Sequence, residues 1–133
     1  MIYDNKALRD LGDTVATIVD ELKGTRKKFD SIIVRGVSGL LVGPPVALAL
    51  DKHLLIVRKP DEQSHDSTQV INGQCGALRT LFLDDFRASG RTENACHTAL
   101  RDSPSKAKIV HTYFYGGKPG DGWNPPRPGG GYA

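Results

Sequence analysis

The sequence predicts an α/β fold in which a mostly parallel central sheet is flanked by helices. Apolar runs with strand character alternate along the chain with segments that have helical periodicity. Short loops rich in small or polar residues separate these elements, as is typical of strand–loop–helix units. At 133 residues the chain is long enough to form one domain with a sizeable core. In such sheets ligands bind beyond the carboxyl ends of the strands, so we expect the functional residues there.

A first helix is expected after Asp4 or Asn5, because either side chain can act as its N-cap. The apolar residues that follow recur at steps of three and four and define one face: Leu8, Leu11, Val15, Ile18 and Leu22. Gly24 is expected to end this helix, since glycine is favoured just beyond a helix C-terminus.

The apolar runs predict four strands, at 31–34, 54–57, 78–83 and 109–115. A second helix is expected over 43–50, because proline is tolerated in a first helical turn and Gly43-Pro44-Pro45 would open it. A third helix is expected over 92–101.

The segments between these elements carry three further predictions. Residues 35–39 are expected to form a turn, and 59–77 a single long loop that can close as a lid. The last 18 residues, 116–133, contain seven glycines and four prolines. That composition predicts a flexible tail after a domain that spans 1–115.

Composition excludes several classes of function. Eighteen Lys and Arg residues against 15 Asp and Glu residues give a net charge of +3, too balanced to indicate nucleic acid as a partner. The apolar stretches are too short to span a membrane, and no secretory leader is recognised, so a cytoplasmic location is expected. Cys75 and Cys96 are expected to be free thiols in a reducing compartment.

Two adjacent carboxylates, Asp84 and Asp85, close the third apolar run and form the most informative feature of the sequence. Adjacent acids repel one another and contribute little as packing, but they suit sugar hydroxyls or a magnesium ion. The loop Ser89-Gly90-Arg91-Thr92 follows, and its N–H groups, hydroxyls and guanidinium suit a phosphate at a helix N-terminus. The alternative is that Ser89 or Thr92 merely caps the helix.

Residues 80–92 resemble the phosphoribosyl-pyrophosphate-binding motif of type I phosphoribosyltransferases, in which a strand, two acids and a Thr/Gly-rich loop follow one another. The resemblance implies that Asp84 and Asp85 are catalytic residues that hold the ribose hydroxyls and bind Mg²⁺. It also implies a 5′-phosphate loop, which comprises Ala88, Ser89, Gly90, Arg91 and Thr92.

Residues 35–50 are similar to the pyrophosphate loop and following helix of adenine phosphoribosyltransferases. This second resemblance implies that pyrophosphate is bound by Arg35, Gly36, Val37, Ser38 and Gly39. Arg58 and Lys59 match the pair that opens the family's catalytic loop. The implied protein is a Mg-dependent transferase with a reduced hood, which uses phosphoribosyl pyrophosphate and a nucleobase and forms a homodimer.

Two alternatives stay open at this point. Between Pro60 and Ala77 the sequence has no Lys or Arg, where many relatives carry a basic residue against pyrophosphate. The chain could therefore be a regulatory module that binds a nucleotide or sugar phosphate without turnover. A weaker alternative gives the tail, with Lys118 and Arg127, a role in binding nucleic acid or protein.

Overall fold

A six-stranded sheet organises the computed structural model, which describes residues 3–58, 70–71, 79–87, 89–103, 106–117 and 122–127. The strands are β1 (Ser31–Arg35), β2 (His53–Val57), β3 (Val70–Ile71), β4 (Arg79–Asp84), β5 (Lys108–Phe114) and β6 (Gly122–Asn124). The helices are α1 (Asn5–Lys23), α2 (Gly36–Leu50) and α3 (Arg91–Asp102). The strand order is β3-β2-β1-β4-β5-β6.

The four central strands are parallel, and each edge strand is antiparallel to its neighbour. In register, Arg35 at the end of β1 pairs with Val57 at the end of β2, and Ile33 pairs with Phe82 on β4. The carboxyl ends of β1, β2 and β4 therefore lie side by side at one edge of the sheet. This arrangement confirms the predicted mostly parallel α/β fold.

Helices cover both faces of the sheet because side chains alternate along each strand. Ile32 and Val34 pack in one buried cluster with residues of α1 and α2, whereas Ile33 packs in a second cluster with residues of α3. Cys96 belongs to the second cluster as a buried free thiol, and burial raises its pKa, so it stays protonated. Cys75 lies outside the described residues.

Helix α1 confirms the predicted caps. The Asp4 side chain accepts a hydrogen bond from the Ala7 N–H at 2.9 Å, and the Gly24 N–H donates to the Asp20 carbonyl at 3.1 Å. The apolar face is buried only towards its C-terminal end, where Ile18 and Leu22 enter the core. No helix within the described residues is both long enough and apolar enough to cross a bilayer.

The predicted start of α2 at residue 43 is wrong, because the helix begins at Gly36 and includes Pro44 and Pro45. Of the expected turn over 35–39, Arg35 ends β1 and residues 36–39 form the first turn of α2. Two prolines remove two N–H donors from the helical ladder. Close packing offsets this loss, since a Cβ built on Gly39 would lie 2.8 Å from the Val34 Cβ, so α2 lies directly on β1.

The long loop and the tail each contribute a strand that the sequence analysis missed. Val70–Ile71 forms β3, and the rest of the predicted lid, 59–69 and 72–77, lies outside the described residues. Gly122–Asn124 forms β6, so a flexible tail is wrong for this part of 116–133. Trp123 anchors β6, because its ring lies 5.1 Å from the Tyr113 ring, centroid to centroid.

Candidate active site

A cavity of about 400 Å³ opens at the carboxyl edge of the sheet. Its lining combines both predicted ligand-binding segments: Arg35, Gly36, Val37, Ser38, Asp84, Asp85, Phe86 and Thr92. Arg58 lies at the same edge, because it directly follows Val57, the partner of Arg35 in the sheet. Lys59 and Ala88 lie outside the described residues. The structure thus brings together residues that the sequence separates by about 50 positions.

Backbone and side-chain hydrogen bonds fix both carboxylates of the acidic pair. The Asp84 and Asp85 carbonyls accept from the N–H groups of Tyr115 and Gly116, at 3.1 and 2.6 Å. The Asp84 Oδ1 atom accepts from the Asp85 N–H, and the Asp85 Oδ1 atom accepts from the Phe86 N–H, both at 2.9 Å. Both residues stay partly exposed at the cavity, so their carboxylates can meet a ligand there.

The N-terminus of α2 forms one side of the cavity and suits an anion. The first N–H groups of a helix lack intrahelical partners, and the helix dipole places positive charge there. Arg35 occupies the N-cap position without a capping side-chain bond, and Gly36 turns the chain at a φ of 82°. Within the described residues, the buried Nε of Arg35 has no hydrogen-bond partner. An anion could therefore bind to N–H groups and a guanidinium together.

A second helix N-terminus, that of α3, lies beside the acidic pair. Gly90 is its N-cap with a φ of 90°, and the Ser89 Oγ atom accepts from the Arg91 N–H at 3.4 Å. Gly90 therefore occupies the N-cap position, and neither Ser89 nor Thr92 does, although the Ser89 hydroxyl still accepts from the first N–H group of the helix. A small cavity of about 30 Å³ lies here, and Thr92 and Asp84 line both this cavity and the larger one. The N-termini of α2 and α3 thus line contiguous cavities.

Tyr115 adds a neutral hydroxyl close to the acids. Burial raises the pKa of this phenol, and the negative charges of Asp85 and Asp84 raise it further, while the nearby Ser38 hydroxyl opposes the rise. The phenol therefore stays protonated at neutral pH. The sequence does not report the proximity of Tyr115 to Asp84, because it depends on the pairing of β5 with β4.

A buried network that the sequence analysis did not predict supports the start of α3. Glu93 is 2% exposed, and its Oε2 atom accepts from the His97 Nε2 at 3.2 Å and from the Arg127 N–H at 2.7 Å. Burial alone raises the pKa of the Glu93 carboxyl, but these hydrogen bonds and the charges of His97 and Arg127 outweigh it. The net pKa lies below the ordinary value.

Acid is expected to destabilise the protein partly through Glu93. Because its folded pKa lies below the unfolded value, folding favours the deprotonated carboxylate. This stabilisation is complete above the ordinary glutamate pKa of about 4.3 and is lost as pH falls through the lower folded value. Denaturant unfolding at several pH values measures it, with Glu93→Gln as the comparison. We expect the difference in unfolding free energy between the two proteins to shrink below about pH 4; a constant difference would contradict this account.

Asp84 and Asp85 are the residues that could hold a metal ion. Among the described residues, no group of three or more His, Cys, Asp or Glu side chains forms a metal cluster. Mg²⁺ is commonly bound by one or two carboxylates together with substrate phosphates, and it keeps several waters. The acidic pair beside two helix N-termini fits that kind of shared ligation.

Solved structures with the same fold include several adenine phosphoribosyltransferases. The protein from Thermoanaerobacter pseudethanolicus has a TM-score of 0.61 and 21% identity, over 82% of this chain and 69% of that chain. The Saccharomyces cerevisiae protein is complexed with adenine and an imino-altritol bisphosphate. It has a TM-score of 0.57 and 21% identity, over 84% of this chain and 68% of that chain. The Trypanosoma brucei protein is in complex with AMP, pyrophosphate and ribose-5-phosphate. It has a TM-score of 0.57 and 18% identity, over 78% of this chain and 50% of that chain.

These likenesses are structural. No protein-family model and no curated protein matches the sequence. The chain spans half to about two thirds of the length of the three solved relatives. The order of elements and the sheet nevertheless agree with the expectation from residues 35–50 and 80–92. The chain therefore has the fold of the type I phosphoribosyltransferases, in the form seen in adenine phosphoribosyltransferases.

Proposed function

We propose that this protein transfers a phosphoribosyl group from phosphoribosyl pyrophosphate to a purine or pyrimidine nucleobase and releases pyrophosphate. One observation carries the proposal: two helix N-termini and a carboxylate pair meet at contiguous cavities on the carboxyl edge of the sheet. A doubly phosphorylated sugar needs two anion sites with hydroxyl-binding groups between them. The fold shared with adenine phosphoribosyltransferases supports the same conclusion.

Each part of the cavity is assigned to one part of the substrate. Residues 35–39 at the start of α2, with Arg58 and Lys59, bind pyrophosphate. Asp84 and Asp85 bind the ribose hydroxyls, and Ser89–Thr92 bind the 5′-phosphate. Homodimerisation and a cytoplasmic location stay predictions from the resemblance and from composition.

The chemistry follows from where charge develops. The bond from ribose C1 to the pyrophosphate oxygen breaks, and its electron pair leaves with pyrophosphate while positive charge builds on the sugar. A nitrogen of the base forms the new bond to C1 and loses its proton. N–H groups at the start of α2 and the Arg35 guanidinium stabilise the leaving anion. The carboxylates of Asp84 and Asp85 orient the ribose and lie where they favour positive charge on the ring.

Magnesium fits the acidic pair as a shared ligand. Asp84 and Asp85 would hold it together with oxygens of the substrate, since both offer the carboxylate oxygens that Mg²⁺ prefers. When bound, it supplies charge neutralisation of the pyrophosphate group.

The nucleobase is assigned to a separate cavity of about 280 Å³ between α1 and β5. Its lining is polar on the helix side and aromatic on the strand side: Asp13, Thr14, Thr17, Ile18, Tyr113 and Tyr115. Because the Tyr115 N–H donates to the Asp84 carbonyl at 3.1 Å, this cavity lies next to the ribose site. Helix α1 then serves as the reduced hood.

A turnover assay tests the proposal. Phosphoribosyl pyrophosphate and Mg²⁺ are incubated with the protein and a panel of purine and pyrimidine bases, and mass spectrometry detects any nucleotide formed. We expect one base to give its 5′-monophosphate with equimolar pyrophosphate. Absence of nucleotide with every base would contradict the transferase assignment.

The absence of Lys and Arg between Pro60 and Ala77 favours a second candidate, a module that binds phosphoribosyl pyrophosphate or a nucleotide without turnover. A transferase needs its leaving group enclosed and neutralised, and this segment offers no Lys or Arg side chain for that task. Calorimetry distinguishes the two candidates. Tight binding without pyrophosphate release, across the whole panel of bases, would support the binding module, and measurable turnover would eliminate it.

A further inference from the structure

Arg127 lies against the proposed 5′-phosphate loop, although the two are far apart in the sequence. The arginine follows β6, which pairs with β5, the neighbour of β4. A Cβ built on Gly90 would lie 2.9 Å from both Cδ and Nε of Arg127 and 3.2 Å from Cζ. The positive φ of 90° at Gly90 favours glycine, and the Arg127 side chain lies where a Cβ would be. The guanidinium therefore lies at the N-terminus of α3.

Glu93 holds the arginine in this position. The Arg127 N–H donates to the Glu93 Oε2 atom at 2.7 Å, and the Arg127 Nε lies 3.6 Å from Oε1. A buried carboxylate in the first turn would by itself oppose a phosphate at the same helix end. The Arg127 charge offsets that repulsion, so Glu93 can position the arginine without excluding an anion.

A purely structural ion pair explains only part of this arrangement. The Glu93 side chain is 2% exposed, whereas the Arg127 side chain is 27% exposed and lines the small cavity with Ser89, Gly90 and Arg91. A guanidinium presents five N–H donors in a planar fork whose geometry matches phosphate. Arginine beside N–H groups and hydroxyls is the usual chemistry of a phosphate site.

We propose that Arg127, carried by the C-terminal strand β6, binds the 5′-phosphate of the sugar substrate together with the loop Ser89–Thr92. This inference rests on the proposed function for the location of the 5′-phosphate. It assigns a ligand to the segment that composition alone described as a tail. It also makes the site depend on β6, because removal of that strand removes the cation.

Calorimetric titration of ribose 5-phosphate tests the inference, with Arg127→Met as the variant and Arg101→Met as the matched control. Arg101 is an exposed arginine in the last turn of α3, at the opposite end of the helix. We expect Arg127→Met to weaken ribose 5-phosphate binding by roughly 10- to 100-fold, the effect of one charge-assisted phosphate contact. Arg101→Met should leave it unchanged, and neither variant should change the affinity for pyrophosphate alone.

A ³¹P NMR titration separates phosphate binding from a structural role. A guanidinium contact favours the phosphate dianion, so wild type should lower the second pKa of bound ribose 5-phosphate. Arg127→Met should raise that pKa towards the value of the free ligand. Arg127→Lys keeps the charge and should give a smaller change, and it replaces Arg127→Met if that variant impairs folding. The inference would be overturned if Arg127→Met and wild type bound ribose 5-phosphate with equal affinity, or if wild type did not bind ribose 5-phosphate. A failed turnover assay with Arg127-dependent binding would instead refute only the transferase proposal.

Discussion

Replacing Asp84 and Asp85 together by asparagine is expected to weaken binding of phosphoribosyl pyrophosphate by about 100- to 10,000-fold, because each charged hydrogen bond contributes roughly 1.5–3 kcal/mol. The fold should survive. The Oδ1 atom of each asparagine can still accept the N–H bond that Asp84 and Asp85 accept from the residue that follows. Removal of two adjacent like charges also relieves repulsion in the unliganded protein. The double variant should therefore lose affinity for phosphoribosyl pyrophosphate and keep its stability against unfolding.

Calorimetry with Mg²⁺ present and thermal unfolding without ligand measure the two effects. Asp102→Asn is the matched control, since it removes an exposed carboxylate at the far end of α3. We expect wild-type affinity in the control and an unfolding temperature near that of wild type in both variants. Retained affinity in the double variant would show that the sugar does not bind at this strand end.

Gly39→Ala is expected to lower the unfolding free energy by about 1–2 kcal/mol, since overpacking costs roughly 1–3 kcal/mol and the better helix propensity of alanine returns up to about 1. The new Cβ would lie 2.8 Å from the Val34 Cβ, and neither atom can move without its backbone. Helix α2 must shift away from β1, and its N-terminus shifts with it. Pyrophosphate binding should therefore weaken as well.

Gly12→Ala is the control, and we expect it to change the unfolding free energy in the opposite direction. Gly12 is also helical, but a Cβ there meets nothing within 4 Å. This substitution should stabilise the protein by about 0.5–1 kcal/mol through helix propensity alone. Denaturant unfolding and pyrophosphate titration of both variants complete the comparison. Equal stabilisation in the two variants would show that α2 does not pack on Val34 as described.

Local sequence signals accounted for most of the sheet and for both caps of α1. Strands β1, β2, β4 and β5 are apolar runs with clear ends, and Asp4 and Gly24 are residues that favour helix termini. The start of α2 was missed because Pro44 and Pro45 usually mark a first turn. Packing of Gly39 and Gly43 on β1, which no local signal reports, extended the helix in front of them.

The residues of the candidate site also fall into two groups, those that a local sequence motif reports and those that only the strand pairing brings to the site. Asp84, Asp85 and Ser89–Thr92 are contiguous in sequence, so a motif reports them. Arg127 and Tyr115 reach the site only because β5 lies beside β4 and β6 lies beside β5. The short strand β6 has a glycine-rich and proline-rich context, which favours a flexible segment on composition alone. The burial of Glu93, whose charge needs a partner, points to Arg127, but that burial is seen only in the structure.

The central claim is that one substrate bridges the starts of α2 and α3 across the acidic pair, and amide chemical shifts recorded by NMR test it most directly. With Mg²⁺ and phosphoribosyl pyrophosphate, we expect shifts at 36–39, 84–86 and 89–92 together. Pyrophosphate alone should move only the first group, and ribose 5-phosphate alone only the other two. Shifts confined to one group with the intact substrate would contradict the account. Shifts centred on Thr17 and Trp123, which line a separate cavity of about 550 Å³, would contradict it as well.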